Sequence, residues 1–296
     1  MPTTSTGSLS PASAATGPVG VPDRPAEVVE TLRRLGVRPA RGLGQSFLVD
    51  RFVADALASL AEPGSPGAFF EVGGGLGIVT RALVNRGVRG LTVVERDRRL
   101  ADHLARTFGG SVEVRCQDAR SFPFPAGSTV VGSLPFSSGT PIVLGLLRAR
   151  VRRVAVLLQT EVAERFAAAP PGRAYGRPSI LASLYGDGEL FREVPPEAFF
   201  PRPKVSARLF AHTARTGPLP VRSVARLESV VRSLFASRRK QLGNLLPRLA
   251  AGGLGADTLA REAAWPDGWR QMRPEQLPPE AFFRLATVLE GRRATL

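Results

Sequence analysis

The chain has 296 residues, 43% of them apolar, and carries 40 Lys plus Arg against 25 Asp plus Glu, a net charge of +15. That length supports one substantial α/β unit with a small companion, and the cationic excess points to a polyanionic partner, since each neutralised phosphate releases counterions. Cys116 is the only cysteine and His103 and His212 the only histidines, which excludes a disulfide framework and leaves no set for a metal centre or a His-based triad; no apolar run approaches the roughly 18 residues of a transmembrane helix.

Residues 1–23 are rich in Ser, Thr, Ala, Pro and Gly and hold no Lys or Arg before Asp23. They lack the basic start and apolar block of a signal peptide and the arginines of a mitochondrial presequence, so a disordered tail and a cytoplasmic location are expected. From Arg24, Val28, Leu32 and Leu35 recur at helical spacing until Gly36. A basic turn over 38–44 leads into Gln45–Asp50 and a helix through about Leu60. Strands are expected at Ala68–Val72, Leu91–Glu95, Val112–Arg115, Ser128–Gly132 and Arg153–Leu158. Helices at Ile78–Arg86, Arg98–Phe108 and Ile142–Leu147 separate most of them. That alternation predicts a doubly wound, mostly parallel Rossmann-like sheet with ligands at the carboxyl ends of its strands. Strand signals cease after about His212. Val221–Leu249 and Pro279–Leu289 read as helices broken by Gly252-Gly253 and several prolines. The expected division is a catalytic domain over 24–212 and a small helical domain over 213–296.

Chemistry concentrates at successive strand ends. Glu71-Val-Gly73-Gly74-Gly75-Leu-Gly77 follows the first strand and opens a helix, where Gly73 and Gly75 allow a ligand to approach the backbone. A glycine loop alone is weak evidence, because plain tight turns share it. Glu95 ends the next strand, placed to accept hydrogen bonds from two ribose hydroxyls. Asp118 follows the third strand, placed to accept from an adenine amino group or else to cap a turn. No Lys-Ser/Thr pair closes the glycine loop, so a P-loop is excluded. The three features together suit S-adenosylmethionine, and fit a nicotinamide dinucleotide in part.

After the fourth strand comes Ser133-Leu134-Pro135-Phe136. The exocyclic amino group of adenine is a poor nucleophile, because its lone pair is delocalised into the ring. A backbone carbonyl and a side-chain oxygen converging on its hydrogens favour the pyramidal, reactive form. Proline shapes such a turn, and Phe136 is placed to stack on a base that has left its helix or loop. With a methyl group already activated on a sulfonium, positioning supplies much of the catalysis.

The ordered set of motifs resembles the small-subunit rRNA adenine dimethyltransferases, the kasugamycin-sensitivity family, from about Arg38 to Leu289. Besides the segments above it includes Gly42–Leu48, Val94–Asp97, Gln117–Ala119, Thr140–Ile142, Gln159–Arg165, Ala174–Ser179, Ala198–Val205 and Phe235–Lys240. The resemblance implies cofactor contacts from Gln45, Ser46, Leu48, Gly73, Glu95 and Asp118, with Ser133 bridging cofactor and target amino group. It implies two methyls on each of two adjacent adenines of a small-subunit hairpin loop, in rRNA or a pre-ribosomal particle, by a monomer without a metal. It also implies that Phe199 lines the target adenine opposite Phe136, with Phe200 in the core. The erythromycin-resistance methyltransferases of the large subunit share most of these motifs, but Ala174–Ser179 favours the small-subunit group. The family has Asn where this chain has Ser46 and Ser133. Asn85 and Asn244 are the only asparagines, so compositional drift accounts for both, and a Ser hydroxyl still accepts a hydrogen bond. Catalysis is therefore expected to survive, slower or with an altered mono- to dimethyl ratio; a catalytically weakened assembly factor is the alternative.

The RNA-facing surface is expected around Arg238-Arg239-Lys240, read as part of a helix with Leu242, Leu245 and Leu246 on its apolar face. Lys204 and Lys240 are the only lysines in an arginine-rich chain, which marks both as candidates for phosphate contact. Arg148, Arg150, Arg152 and Arg153 extend that surface, unless they cap a helix and bridge it to a strand.

Overall fold

The computed structural model describes residues 20–39, 45–249 and 255–291. The bulk of the expected tail, the Arg41-Gly42-Leu43-Gly44 part of the basic turn and the Gly252-Gly253 break lie outside them.

In chain order the elements begin with α1 (Pro25–Arg34), β1 (Phe47–Leu48), α2 (Arg51–Leu60), β2 (Phe69–Val72), α3 (Ile78–Asn85), β3 (Thr92–Glu95), α4 (Arg98–Phe108) and β4 (Glu113–Cys116). They continue with β5 (Thr129–Ser133), α5 (Gly139–Arg148), β6 (Arg153–Gln159), α6 (Thr160–Ala167), α7 (Arg177–Tyr185), β7 (Gly186–Val194), β8 (Phe199–Phe200) and β9 (Ala207–Ala214). The helices α8 (Val224–Phe235), α9 (Leu242–Leu249), α10 (Ala256–Glu262) and α11 (Pro279–Gly291) complete the described chain. Local chemistry sets several of these ends. Pro25 opens α1 at a position where no amide donor is needed. Asp50 caps α2 by accepting from the Phe52 and Val53 amides at 2.8 and 3.1 Å, and Asp97 caps α4 in the same way through Arg99 at 2.9 Å.

Seven strands form one sheet in the order β4-β3-β2-β5-β6-β9-β7, with β2 to β6 parallel and β9 and β7 antiparallel. The strand order reverses at β2 and β5, so the crevice between their carboxyl ends is the place for a ligand. Side chains alternate between the sheet's two faces as the pleat requires. Phe70, Val72, Val130, Val154 and Val156 join one apolar cluster, and Phe69, Val93, Val131, Ala155 and Leu157 join the other. The five parallel strands fall within a residue or two of their expected positions. The pair β7 and β9 was not expected. β7 is an edge strand, largely exposed, with a register irregularity between Leu190 and Glu193, so its sequence carries no clean alternation.

The helical stretch expected over Val221–Leu249 is two helices, and Arg238, Arg239 and Lys240, expected within a helix, lie between them. Residues 236–239 form a turn, and the Leu242 amide donates to the Met272 carbonyl at 2.8 Å, which sets the chain off in a new direction. The helical part is not a separately cored body. Leu227, Leu234, Leu246 and Phe282 share one apolar cluster with Leu147, Tyr175, Tyr185 and Phe210 of the preceding region. Glu228 of α8 is bound by both Arg148 of α5 and Arg177 of α7, which ties the helices to the sheet layer. β9 runs to Ala214, two residues past the expected boundary.

Candidate active site

A cavity of about 670 Å³ opens at the carboxyl ends of β2, β3 and β5, well within the size range of small-molecule sites. Every residue singled out for cofactor contact lines it: Gln45, Ser46, Leu48, Gly73, Gly75, Glu95, Asp118 and Ser133. β1 brings the first three there by pairing with β8, Leu48 opposite Phe199 and Phe47 opposite Phe200.

The glycine loop closes the floor. Gly73 has φ +73° and Gly77 φ +92°, both in the left-handed region where a side chain is strained, and a Cβ on Gly77 would meet the Phe108 ring at 2.8 Å. Glu95 holds this loop. It is 8% exposed, and its two carboxylate oxygens accept from the Gly75 amide at 3.0 Å and the Asp97 amide at 2.9 Å. Burial raises its pKa while the backbone donors oppose the rise. The Arg96 amide also acts on this carboxylate, and acceptor capacity is left for the cavity that Glu95 lines. Beneath the loop lies Glu71, a residue that motif reading passed over. It is 1% exposed, and burial pushes its carboxyl up to about 8, so at neutral pH it is mostly protonated and presents no second anion beside Glu95.

Asp118 is already engaged. Its carboxylate accepts from the Arg120 guanidinium, Nε to Oδ1 at 3.1 Å and Nη2 to Oδ2 at 2.6 Å, and from the Arg120 amide at 2.9 Å. The guanidinium holds its pKa down at about 2. Arg120 and Asp97 also line the cavity, and sequence reasoning singled out neither as a site residue. Arg99, a third lining residue, pairs with Asp97 and donates to the Gly36 carbonyl at 2.6 Å. The rim carries three carboxylates, two of them matched by arginine, which suits hydroxyl and amino groups, and Arg38, Arg96 and Arg98 line it as well. These acceptors fit the hydroxyl and amino groups of S-adenosylmethionine.

The turn 133–136 reaches the same cavity through two of its residues, and Phe136 is not on the lining. Ser133 ends β5 in register with Leu157, and Ser133 and Pro135 are lining residues. Leu134 points the other way, into the core at 2% exposure, and its amide donates to the Leu157 carbonyl at 3.1 Å. The Ser138 amide donates to the Pro135 carbonyl at 3.0 Å, which fixes the turn's shape. Phe136 meets Phe199 edge to face, ring centroids 5.9 Å apart and planes at 69°. The two rings therefore touch each other and must part to admit a base between them. Phe199 is 4% exposed, more buried than expected, while Phe200 is half-buried and packs against the cluster that holds Phe47 and Val49. The cause is register: opposite Leu48 a side chain falls among the α2 and β6 core residues.

The expected RNA surface divides. Lys204, Arg239 and Lys240 are exposed. Arg238 is not free: its guanidinium donates to Glu275 Oε2, Nε at 2.9 Å, and to the Arg173 carbonyl at 3.1 Å. The four arginines from the end of α5 to the start of β6 each have a partner within the fold. Arg148 binds Glu228, Arg150 donates to the Gly217 carbonyl, Arg152 binds Glu62 and Thr129, and buried Arg153 donates to the Leu60 carbonyl. They tie elements together, the alternative already open for them in the sequence.

Comparison with known proteins bears on most of the chain. The family described as ribosomal RNA adenine dimethylase matches residues 38–258. A ribosomal RNA small subunit methyltransferase A of Methylobacterium radiotolerans is 35% identical over 280 residues, covering 89% of this chain and 93% of that protein. The protein of the same name from Pseudomonas putida is 36% identical over 269 residues, covering 86% and 97%. Among solved structures, a dimethyladenosine transferase of Plasmodium falciparum superposes with a TM-score of 0.71 at 18% identity, covering 83% of this chain and 98% of that one. The 23S rRNA methyltransferase ErmE gives 0.64 at 26% identity, covering 82% and 99%.

Proposed function

The chain belongs to the ribosomal RNA adenine dimethylase family, and on that premise we propose that it dimethylates the exocyclic amino group of adenines in small-subunit ribosomal RNA, drawing the methyl groups from S-adenosylmethionine. The observation that carries this reading is the convergence of Glu95, Asp118, Ser133 and Pro135 on one cavity, with Phe136, next in the chain, packed against Phe199. Relatives named for the small subunit match at 35–36% identity over nearly the whole chain, which favours that substrate over the large-subunit one of ErmE.

When bound, the cofactor supplies an electrophilic methyl group on a sulfonium. The chain's own contribution is orientation. Glu95 would take the ribose hydroxyls, Asp118 the cofactor's adenine amino group, and Gln45, Ser46 and Leu48 the opposite wall. Ser133 and the turn's carbonyls would accept from the target amino group, aligning its nitrogen with the methyl; the surplus proton leaves to solvent after transfer. Phe136 and Phe199 would part to hold the base. Arg239, Lys240 and Lys204 would contact phosphates of the RNA or pre-ribosomal particle. Ser in place of Asn at 133 shortens the acceptor arm, so the second methylation of each adenine is the step expected to slow.

Labelled cofactor incubated with under-methylated small subunits tests this, with the modified nucleotides mapped by mass spectrometry. Dimethyladenosine at a small-subunit hairpin is the expected product, with monomethyl intermediate accumulating. Unmodified adenines, or label in the large subunit alone, would overturn the reading.

A further inference from the structure

We propose that Arg51 and Phe52, at the start of α2, form a stacking platform for an unpaired nucleobase of the substrate RNA that flanks the target adenine. The inference rests on the RNA-methylating function above and adds a contact that the cofactor cavity and the 238–240 turn do not provide.

Phe52 is 67% exposed, the most open of the large apolar side chains among the described residues. An exposed phenyl ring is ordinary by itself; its setting is not. The Arg51 guanidinium lies over one face of the ring, 5.0 Å from the centroid, and Arg51 forms no ion pair among the described residues. Asp55, the next acid along that helix, is bound on both oxygens by Arg86 at 2.9 and 2.7 Å, so it does not neutralise Arg51. The platform thus combines a π face with an available positive charge, the pairing that binds single-stranded nucleic acid through base stacking and phosphate attraction.

Placement and rigidity complete the case. Phe52 lies four residues past Leu48, a wall of the cavity, hence at most about 14 Å away along the chain. That is a span of a few nucleotides, reachable by the strand that delivers the target adenine. The Phe52 amide is pinned to Asp50 at 2.8 Å, so the ring stands on a fixed helical turn and little order is lost when a base lands on it.

The test uses the full chain with F52L, F52Y and R51Q variants, melting temperatures confirming that each folds. F52L keeps apolar bulk but removes the π face; F52Y keeps both. KM for under-methylated small subunits and binding to protein-free small-subunit rRNA are measured together with kcat and cofactor affinity. The expected result for F52L is a rise of roughly 5- to 50-fold in both RNA-dependent quantities, with kcat and cofactor affinity unchanged, wild-type behaviour in F52Y and an intermediate effect in R51Q. Equal RNA affinity in F52L and wild type would overturn the proposal. So would a KM effect on particles with none on protein-free rRNA, which would assign the ring to a ribosomal protein. If the wild type methylated no small subunit while F52L still lost affinity for rRNA, the functional reading would fail and the platform would stand.

Discussion

The acids around the cavity and the arginines of the helical region are both charged groups held by neighbours, but they are held for different ends. Glu95 is fixed by backbone amides, Gly75 on one oxygen and Asp97 on the other, and still has acceptor capacity facing the cavity. Arg238 is fixed by a carboxylate and by carbonyls, and its donors point into the protein. One arrangement prepares a group for a ligand and the other closes a fold. A charged residue in a functional motif can be of either kind, and the partners decide which.

Substitution at Glu95 exposes the first arrangement most strongly. In E95Q the amide NH₂ would face a backbone N–H where the carboxylate accepted one, and a charged acceptor for the cofactor would be lost. Hydrogen bonds to charged groups contribute about 1.5–3 kcal/mol each, so cofactor affinity measured by calorimetry should fall roughly 10- to 100-fold. E71Q provides the contrast. Glu71 is already mostly protonated at neutral pH because burial raises its pKa to about 8, so E71Q should leave affinity at pH 7 nearly unchanged. Its effect belongs to stability. A raised carboxyl pKa favours the folded state fully below the ordinary value of 4.5, and that advantage is lost as pH rises toward about 8. The melting-temperature advantage of E71Q over wild type should therefore grow between pH 5 and pH 9; parallel curves would remove Glu71 from this account.

The second arrangement predicts a split between two adjacent arginines. R238A leaves Glu275 and the Arg173 carbonyl without their donor, and should lower the melting temperature by about 2–5 °C. R239A removes an exposed cation, so it should leave the melting temperature unchanged, weaken RNA binding and reduce the salt slope by about one. Equal melting temperatures with equal losses of RNA binding would return Arg238 to the RNA surface.

These two regions also differ in how far the sequence alone reveals them. The five parallel strands and the strand-end positions of Glu95, Asp118 and Ser133 are legible because side-chain alternation marks each strand and glycines or polar residues mark its end. β7 is not, since an exposed edge strand needs no apolar alternation. The break between α8 and α9 depends on the Met272 carbonyl, thirty residues downstream of Leu242, and no local pattern encodes it. The partners of Arg148, Arg150, Arg152, Arg153 and Arg238 are likewise distant in sequence, so a run of arginines reads the same whether it faces RNA or a carboxylate. Phe136 and Phe199 are 63 residues apart, and their contact depends on the β1–β8 pairing that aligns Leu48 with Phe199.

Asp118 lies between the two arrangements, and it gives the smallest and most discriminating test. It is a cavity acid, like Glu95, but its partner is a side chain rather than fixed backbone. Arg120 supplies Nε, Nη2 and its amide to the two oxygens, which fills the acceptor positions a cofactor amino group would use. Backbone amides cannot leave, whereas an exposed guanidinium can. Cofactor binding at Asp118 should therefore displace Arg120, and R120A should bind S-adenosylmethionine more tightly than wild type. The gain is modest because exposed ion pairs are weak and screened by salt, roughly two- to fivefold. It should shrink as ionic strength rises and vanish in a D118A background, where there is no pair to break. A loss of affinity in R120A would reverse the assignment and make the guanidinium part of the wall that holds the cofactor.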